Sequence, residues 1–151
     1  MKTTTASPEM GCCSSEGRAP PRLACPACGN SAEGVSHTTL LHQLRNPLHT
    51  ELCDAPYYFC ATADCDTVYF NAAAEQFSRD ALRQPVGQKS HQADHLLCYC
   101  FDIRYGEIAD SKRARLCYDF VVQQTAAKRC ACEQRNPSGK CCLRDFPRLE
   151  E

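Results

Sequence analysis

The sequence predicts a small α+β fold stabilised by metal, in which a zinc-ribbon-like β unit precedes a small helical unit. Of its 151 residues, 14 are cysteine, none is Trp and only two are Met. Because the hydrophobic fraction of 43% counts cysteine, few large apolar side chains remain for a core. Small domains with such sparse cores usually need disulfides or metal. Aromatic and β-branched segments come first and helical periodicity follows, which gives the order of the two units.

The charge balance excludes several classes of partner. The sequence contains 17 Lys and Arg and 18 Asp and Glu residues, which gives a net charge of −1. Nucleic acids and anionic membranes attract a basic face, which this balance does not favour. The sequence has no apolar run of about 18 residues, and its first ten residues lack the apolar stretch of a secretory signal. We therefore predict a cytoplasmic protein, with no nucleic-acid partner and no membrane insertion, whose cysteines bind metal in preference to forming disulfides.

Composition divides the chain into four segments. Residues 1–22 are rich in Thr, Ser, Pro and Gly without periodicity, and they predict a disordered tail. Residues 84–95 mix Pro, Gly, Ser and charged side chains without a hydrophobic pattern, and they predict a linker. A zinc-binding unit over 23–83 and a second metal-binding unit over 96–151 remain.

The first unit contains predicted strands. The aromatic and β-branched segments 56–60 and 67–71 predict two short strands. Residues 35–44 predict a strand that continues into a longer apolar stretch. Residues 72–84 fit either an extension of the sheet or one helical turn.

The second unit contains predicted helices. Residues 105–114 predict a short helix, and a further short helix is expected over 143–150. Residues 116–129 predict an amphipathic helix, because apolar and small side chains recur near a spacing of 3.6. Its predicted inner face comprises Leu116, Phe120, Val121, Gln124 and Ala127.

Four cysteines in two knuckles predict a zinc site in the first unit. The ligands would be Cys25, Cys28, Cys60 and Cys65. Two thiolates from each of two tight turns can surround one tetrahedral zinc ion. A closed four-sulfur site leaves no open coordination position, so we expect a structural ion. Two disulfides, ordinary buried cysteines or an iron site remain alternatives, and Cys53 lies outside both knuckles.

A second set of cysteines has a different spacing. One residue separates Cys98 from Cys100, 31 residues separate Cys100 from Cys132, and eight residues separate Cys132 from the doublet Cys141–Cys142. Four thiolates from two separated pairs suit a 2Fe–2S cluster, with one pair on each iron. Because sulfur also suits zinc, softness does not decide between the two metals.

The motifs resemble a known family. The segment from CYC at 98–100 through VVQQTA at 121–126 to Cys132 is similar to the bacterioferritin-associated ferredoxin-like 2Fe–2S domain. The longer pattern resembles the amino-terminal domain of CopZ-type copper chaperones over about residues 23–147. Its motifs, in the order of that family, are CPAC at 25–28, YYFC at 57–60, CDTVYFN at 65–71, CYC at 98–100 and NPSGKCC at 136–142.

The resemblance implies two metal centres. Cys25, Cys28, Cys60 and Cys65 match the zinc motif of that family. The matches to its 2Fe–2S motif are Cys98, Cys100, Cys132 and one of the doublet, for which we favour Cys142 with Cys141 as the substitute. The interval to Cys132 leaves Cys117 and Cys130 as non-ligands.

The resemblance also implies a function in copper or other soft-metal trafficking or resistance, in which single electrons keep the metal reduced. The partner would be a copper-transporting ATPase, a separate copper chaperone or a redox protein. The chain departs from the family because these 151 residues lack the M-x-C-x-x-C copper loop; Cys12–Cys13 is the nearest candidate for a soft-metal hook holding Cu(I). A plain electron carrier for iron mobilisation and a non-redox zinc module are the alternatives.

No catalytic residue is predicted. The sequence contains no GxSxG, HExxH, P-loop or dinucleotide-binding motif. Reduction of Cu(II) is the one reaction that the cysteine sets suggest, and a metallochaperone or electron-transfer role is favoured over an enzyme.

Overall fold

Short strands and short helices follow one another through residues 19–147, the part of the chain that the computed structural model describes. The described elements are β1 (Arg22–Ala24), β2 (Ser31–Val35), α1 (His37–Gln43), β3 (Tyr57–Phe59), β4 (Thr67–Asn71), β5 (Gln76–Ser78), α2 (Gly87–Ser90), β6 (Leu96–Cys98), β7 (Ile103–Arg104), α3 (Ser111–Ala126) and α4 (Cys132–Arg135). Single 3-10 turns occupy Leu48–Glu51, Arg79–Ala81, Tyr105–Ile108 and Cys142–Asp145.

The boundary of the predicted tail changes slightly. Arg22, its last residue, already belongs to β1 and pairs with Glu33 of β2. Residues 1–18 of the predicted tail, including Cys12 and Cys13, lie outside the described residues.

The first five strands form one antiparallel sheet in the order β1-β2-β3-β4-β5. Both strands predicted from aromatic segments are confirmed, at Tyr57–Phe59 and Thr67–Asn71. Alternation along β3 sends Tyr57 and Phe59 to one face of the sheet and Tyr58 to the other. Tyr58 stacks on Phe70 of β4, beside the cysteines of the first set. The sheet therefore separates an apolar core from a cysteine-bearing face.

The predicted strand over 35–44 is wrong beyond its first residue. Val35 ends β2, and α1 begins at His37. The Ser36 hydroxyl caps this helix by accepting a hydrogen bond from the Thr39 N–H at 3.2 Å. The cap and the burial of Leu40 override the β-branched content of the segment. The undecided stretch 72–84 contains β5 and one 3-10 turn.

A second apolar cluster surrounds the hairpin of β6 and β7 and one long helix. The helices predicted over 105–114 and 116–129 are a 3-10 turn followed by α3, which begins where the Asp110 side chain accepts from the Arg113 N–H. The predicted inner face of α3 is partly wrong. Ala114 and Val121 are buried, whereas Leu116 is 70% and Phe120 46% exposed.

The segment predicted as a linker is packed between the two clusters. It contains α2, in which Gly87 and Lys89 are buried. Hydrogen bonds also join the chain from 133 onwards to the first part of the fold. The Thr39 hydroxyl donates to the Glu133 carbonyl at 2.6 Å, and the Gln43 amide donates to the Gln134 carbonyl at 3.0 Å.

No helix within residues 19–147 is both long and apolar enough to cross a membrane.

Candidate metal centres

The first cysteine set gathers around one point. The sulfur atoms of Cys25, Cys28, Cys60 and Cys65 all lie within 4.8 Å of one another. The Cys25 and Cys65 sulfurs are 3.8 Å apart, and those of Cys28 and Cys60 are 3.7 Å apart. Sulfurs bound tetrahedrally to zinc at about 2.3 Å stand about 3.8 Å from one another. The donor set therefore fits a single tetrahedral ion, and its softness suits zinc or copper.

Turns between neighbouring strands position these cysteines. Cys25 follows β1, and its carbonyl accepts from the Gly29 N–H at 2.8 Å in a turn where Gly29 has φ of 80°. Cys60 follows β3 and its N–H donates to the Val68 carbonyl at 2.8 Å, while the Cys65 N–H donates to the Thr62 carbonyl at 3.2 Å. Because β2 pairs with β3, the two turns lie side by side.

The four thiols have different environments. Burial raises the pKa of Cys25 to about 12. A hydrogen bond with Thr62, at 3.5 Å from the sulfur, lowers the pKa of the exposed Cys28 to about 6. Thr62 is oriented by Asn30, whose amide donates to the Thr62 hydroxyl oxygen at 2.9 Å. The site thus contains polar groups that stabilise thiolate.

A lysine from the predicted linker, Lys89, lies beside this site. The Lys89 ammonium lies 3.9 Å from the Cys60 sulfur and donates to the carbonyls of Thr62 at 2.7 Å and Cys65 at 2.8 Å. Burial lowers the pKa of Lys89, and the negative charge of Cys60 and Cys65 opposes this shift. One lysine in a polar segment carries no sequence signal for such a position.

The second cysteine set forms two close pairs. The sulfurs of Cys100 and Cys132 are 3.6 Å apart, and Cys98 is hydrogen-bonded to Cys142. Cys98 and Cys100, which the spacing predicts on the same iron, each lie beside a cysteine of the C-terminal segment. The reason is that Cys98 ends β6 inside the second core, whereas Cys100 lies in the following turn beside α4.

Hydrogen bonds distinguish the members of each pair. The bond with Cys132 lowers the pKa of Cys100 to about 6, and the Ala131 N–H donates to the Cys100 sulfur at 3.1 Å. The bond with Cys142 likewise lowers the pKa of Cys98. These bonds and burial raise the pKa of Cys132 and of Cys142. In each pair, the pKa of one thiol is therefore lowered and that of its partner is raised.

The remaining cysteines of the second unit occupy other positions. Cys117 lies on α3 against the second core, where burial raises its pKa. Cys141 and Cys130 are partly exposed, whereas Cys142 is 1% exposed. The doublet therefore places only Cys142 inside the core beside Cys98.

Comparison with known proteins links both parts of the chain to one group. Residues 22–83 match the family of CopZ zinc binding domains. Over 128 residues the chain is 27% identical to the copper chaperone CopZ of Archaeoglobus fulgidus, covering 84% of this chain and 61% of that protein. The X-ray structure of the N-terminal domain of Archaeoglobus fulgidus CopZ is similar with a TM-score of 0.67 and 26% identity, covering 82% of this chain and 94% of that one. The chain thus spans about three fifths of the curated relative it matches.

Proposed function

Because residues 22–83 belong to the family of CopZ zinc binding domains, we propose that this protein handles copper in metal trafficking, with one structural zinc and one 2Fe–2S cluster. The zinc ligands are Cys25, Cys28, Cys60 and Cys65, whose sulfur positions suit a tetrahedral ion. A four-sulfur site of this kind stabilises the fold and leaves no position for a substrate.

The observation that carries the cluster assignment is the pairing of sulfurs in the second set. A 2Fe–2S cluster takes two thiolates on each iron. Cys100 and Cys132, 3.6 Å apart, would serve one iron, and the hydrogen-bonded Cys98 and Cys142 the other. When bound, such a cluster supplies single electrons. The Ala131 N–H, directed at the Cys100 sulfur, would stabilise negative charge on that ligand.

Copper is the proposed cargo. The similar protein of Archaeoglobus fulgidus is a copper chaperone by name, and this chain shares 27% identity with it. Thiolates favour Cu(I), so an electron source next to soft ligands suits a protein that keeps copper reduced for transfer. The receiving partner would be a copper-transporting ATPase or a separate copper chaperone, with a redox protein supplying the electron. Cys12–Cys13 is the proposed soft-metal hook.

Metal content tests the two centres. Protein purified without oxygen should contain about one zinc, two irons and two labile sulfides per chain. Zinc without iron or sulfide, and no visible absorption, would contradict the cluster and leave a zinc-only binding module.

A copper titration tests the function. The protein is reduced under anaerobic conditions, one equivalent of Cu(II) is added, and cluster oxidation is followed by absorption while Cu(I) is followed with a chromogenic chelator. We expect the cluster to lose one electron as Cu(II) becomes Cu(I), and the variant Cys12→Ser/Cys13→Ser to retain less Cu(I) than Cys117→Ser, the matched control. A cluster that stays reduced would contradict copper reduction. Equal retention by both variants would exclude the hook.

A further inference from the structure

Lys89 is a buried cation beside the first cysteine set. Lys89 belongs to α2, outside the segment 22–83 that matches the zinc binding family, and it is only 3% exposed. A buried ammonium group is costly unless its charge and its three donors are satisfied. The structure provides three acceptors at hydrogen-bonding distance, namely the Cys60 sulfur and the carbonyls of Thr62 and Cys65. All three acceptors belong to the second cysteine turn.

The charge of the proposed centre explains a cation at this position. Four thiolates around one divalent zinc carry a net charge of −2, and three of these four cysteines are buried. Uncompensated buried charge destabilises a fold. A positive group at this position would compensate the negative charge of the thiolates. Its hydrogen bonds would also restrict the motion of the loop that carries two of the ligands. Arg79 is a second cation near this loop. It lies on the exposed side, where it donates to the Ala63 carbonyl.

We propose that Lys89 is a positioning residue of the zinc centre, whose ammonium charge balances the four thiolates and whose hydrogen bonds fix the loop between Cys60 and Cys65. This rests on the proposed zinc site. It also gives the segment 84–95 a function, because that segment delivers the counter-charge for the first centre and then continues directly into β6 and Cys98 of the second. Zinc occupancy and the position of α2 are therefore coupled.

Zinc affinity in matched lysine variants tests the proposal. Lys89→Met keeps most of the apolar side chain and removes the charge. Lys140→Met is the control, since Lys140 also donates to a backbone carbonyl, that of Gly34 at 3.1 Å, but among residues 19–147 it makes no hydrogen bond with the first cysteine set. Zinc dissociation constants are measured by chelator competition on the full chain at several pH values. Cobalt spectra of the same proteins report the energy of the sulfur-to-metal charge-transfer band.

We expect Lys89→Met to bind zinc about 10- to 100-fold more weakly than the wild type, with Lys140→Met unchanged. The charge-transfer band should move to lower energy only in Lys89→Met, because a lost donor and charge raise the energy of the sulfur electrons.

Equal zinc affinity and an unmoved band would overturn the role of Lys89. A wild type that binds neither zinc nor cobalt would instead overturn the zinc site itself. If Lys89→Met does not fold with zinc present, Lys89→Gln, which keeps an N–H donor without charge, is measured in the same way; wild-type affinity in that variant contradicts the charge role.

Discussion

Gly87 and Tyr99 connect the segment between the two cysteine sets to the second set. The Gly87 N–H donates to the Tyr99 hydroxyl oxygen at 2.9 Å, and that hydroxyl donates to the Pro85 carbonyl at 2.7 Å. Tyr99 stands between Cys98 and Cys100, and Lys89 follows Gly87 by two residues. One buried side chain therefore connects α2, which carries Lys89, to the end of β6 and the following turn, which carry Cys98 and Cys100.

Removing this hydroxyl should destabilise the protein. Burial raises the pKa of Tyr99 to about 12, so the group stays protonated and donates throughout the neutral range. Tyr99→Phe leaves a buried N–H and a carbonyl without their partner, and we expect a loss of about 1–3 kcal/mol in the free energy of unfolding. Urea denaturation measures it. The control Tyr118→Phe removes a hydroxyl that makes no hydrogen bond with residues 19–147, and a similar loss in both variants would contradict the prediction.

Gly87 itself should not tolerate a side chain. A Cβ placed there would lie 2.0 Å from the Leu96 carbonyl oxygen, which is backbone and cannot rotate away. We expect Gly87→Ala to cost about 1–3 kcal/mol, as overpacking of a tight contact does, and to lower zinc affinity because α2 and Lys89 shift.

The control for this variant is Gly34→Ala. At Gly34 the closest atoms to an added Cβ are at 3.9 Å, an ordinary contact. Urea midpoints and zinc competition compare the two. A Gly87→Ala protein as stable as Gly34→Ala would show that the approach of α2 to β6 is not tight in solution.

Local patterns in the sequence predicted the parts of the fold that depend on neighbours in the chain. The alternating aromatic segments predicted β3 and β4, and the close cysteine spacings predicted which sulfurs of the first set come together. The helix at His37–Gln43 was missed because its decisive signals, one serine cap and the packing of Leu40, are weaker than the β-branched residues around them.

Contacts between distant segments could not be predicted in the same way. Cys100 and Cys132 are far apart in the chain, and which partner each sulfur meets depends on how α4 and the C-terminal turn pack. The position of Lys89 depends on α2 packing against a loop more than twenty residues earlier. A polar segment is exposed to solvent on average. Its composition therefore cannot indicate that one of its lysines is buried against carbonyl groups that are distant in the chain.

Glu33 should contribute a pH-dependent stabilisation. Its carboxylate bridges Arg144 at 3.0 Å and Arg22 at 3.1 Å, and the hydrogen bond from Arg144 lowers its pKa below the ordinary 4.5. A lowered pKa in the folded state stabilises the protein above the unfolded-state pKa, and this gain disappears as the pH falls through the folded-state value. Since the side chain is 37% exposed, we expect Glu33→Gln to cost only about 0.5–1 kcal/mol at pH 7.

The pH series distinguishes this charge effect from lost packing. The difference between Glu33→Gln and the wild type should shrink below pH 4.5 and in high salt, as urea denaturation can show. Glu51→Gln, at an exposed glutamate without an ion pair among residues 19–147, should match the wild type at every pH. A difference for Glu33→Gln that stays constant with pH would contradict the electrostatic explanation.

The doublet Cys141–Cys142 provides a test of which sulfur would serve the proposed 2Fe–2S centre. Consecutive side chains point in different directions, and only Cys142 enters the core, where it is hydrogen-bonded to Cys98. We expect Cys142→Ser purified without oxygen to lose most of its iron and its visible absorption, whereas Cys141→Ser keeps about two irons per chain.

Zinc content should be the same in both proteins, because neither residue contacts the first set, and this shared zinc confirms that each variant folds. Loss of iron from Cys141→Ser with retention in Cys142→Ser would reverse the assignment. Retention of iron in both would mean that either sulfur can complete the pair with Cys98.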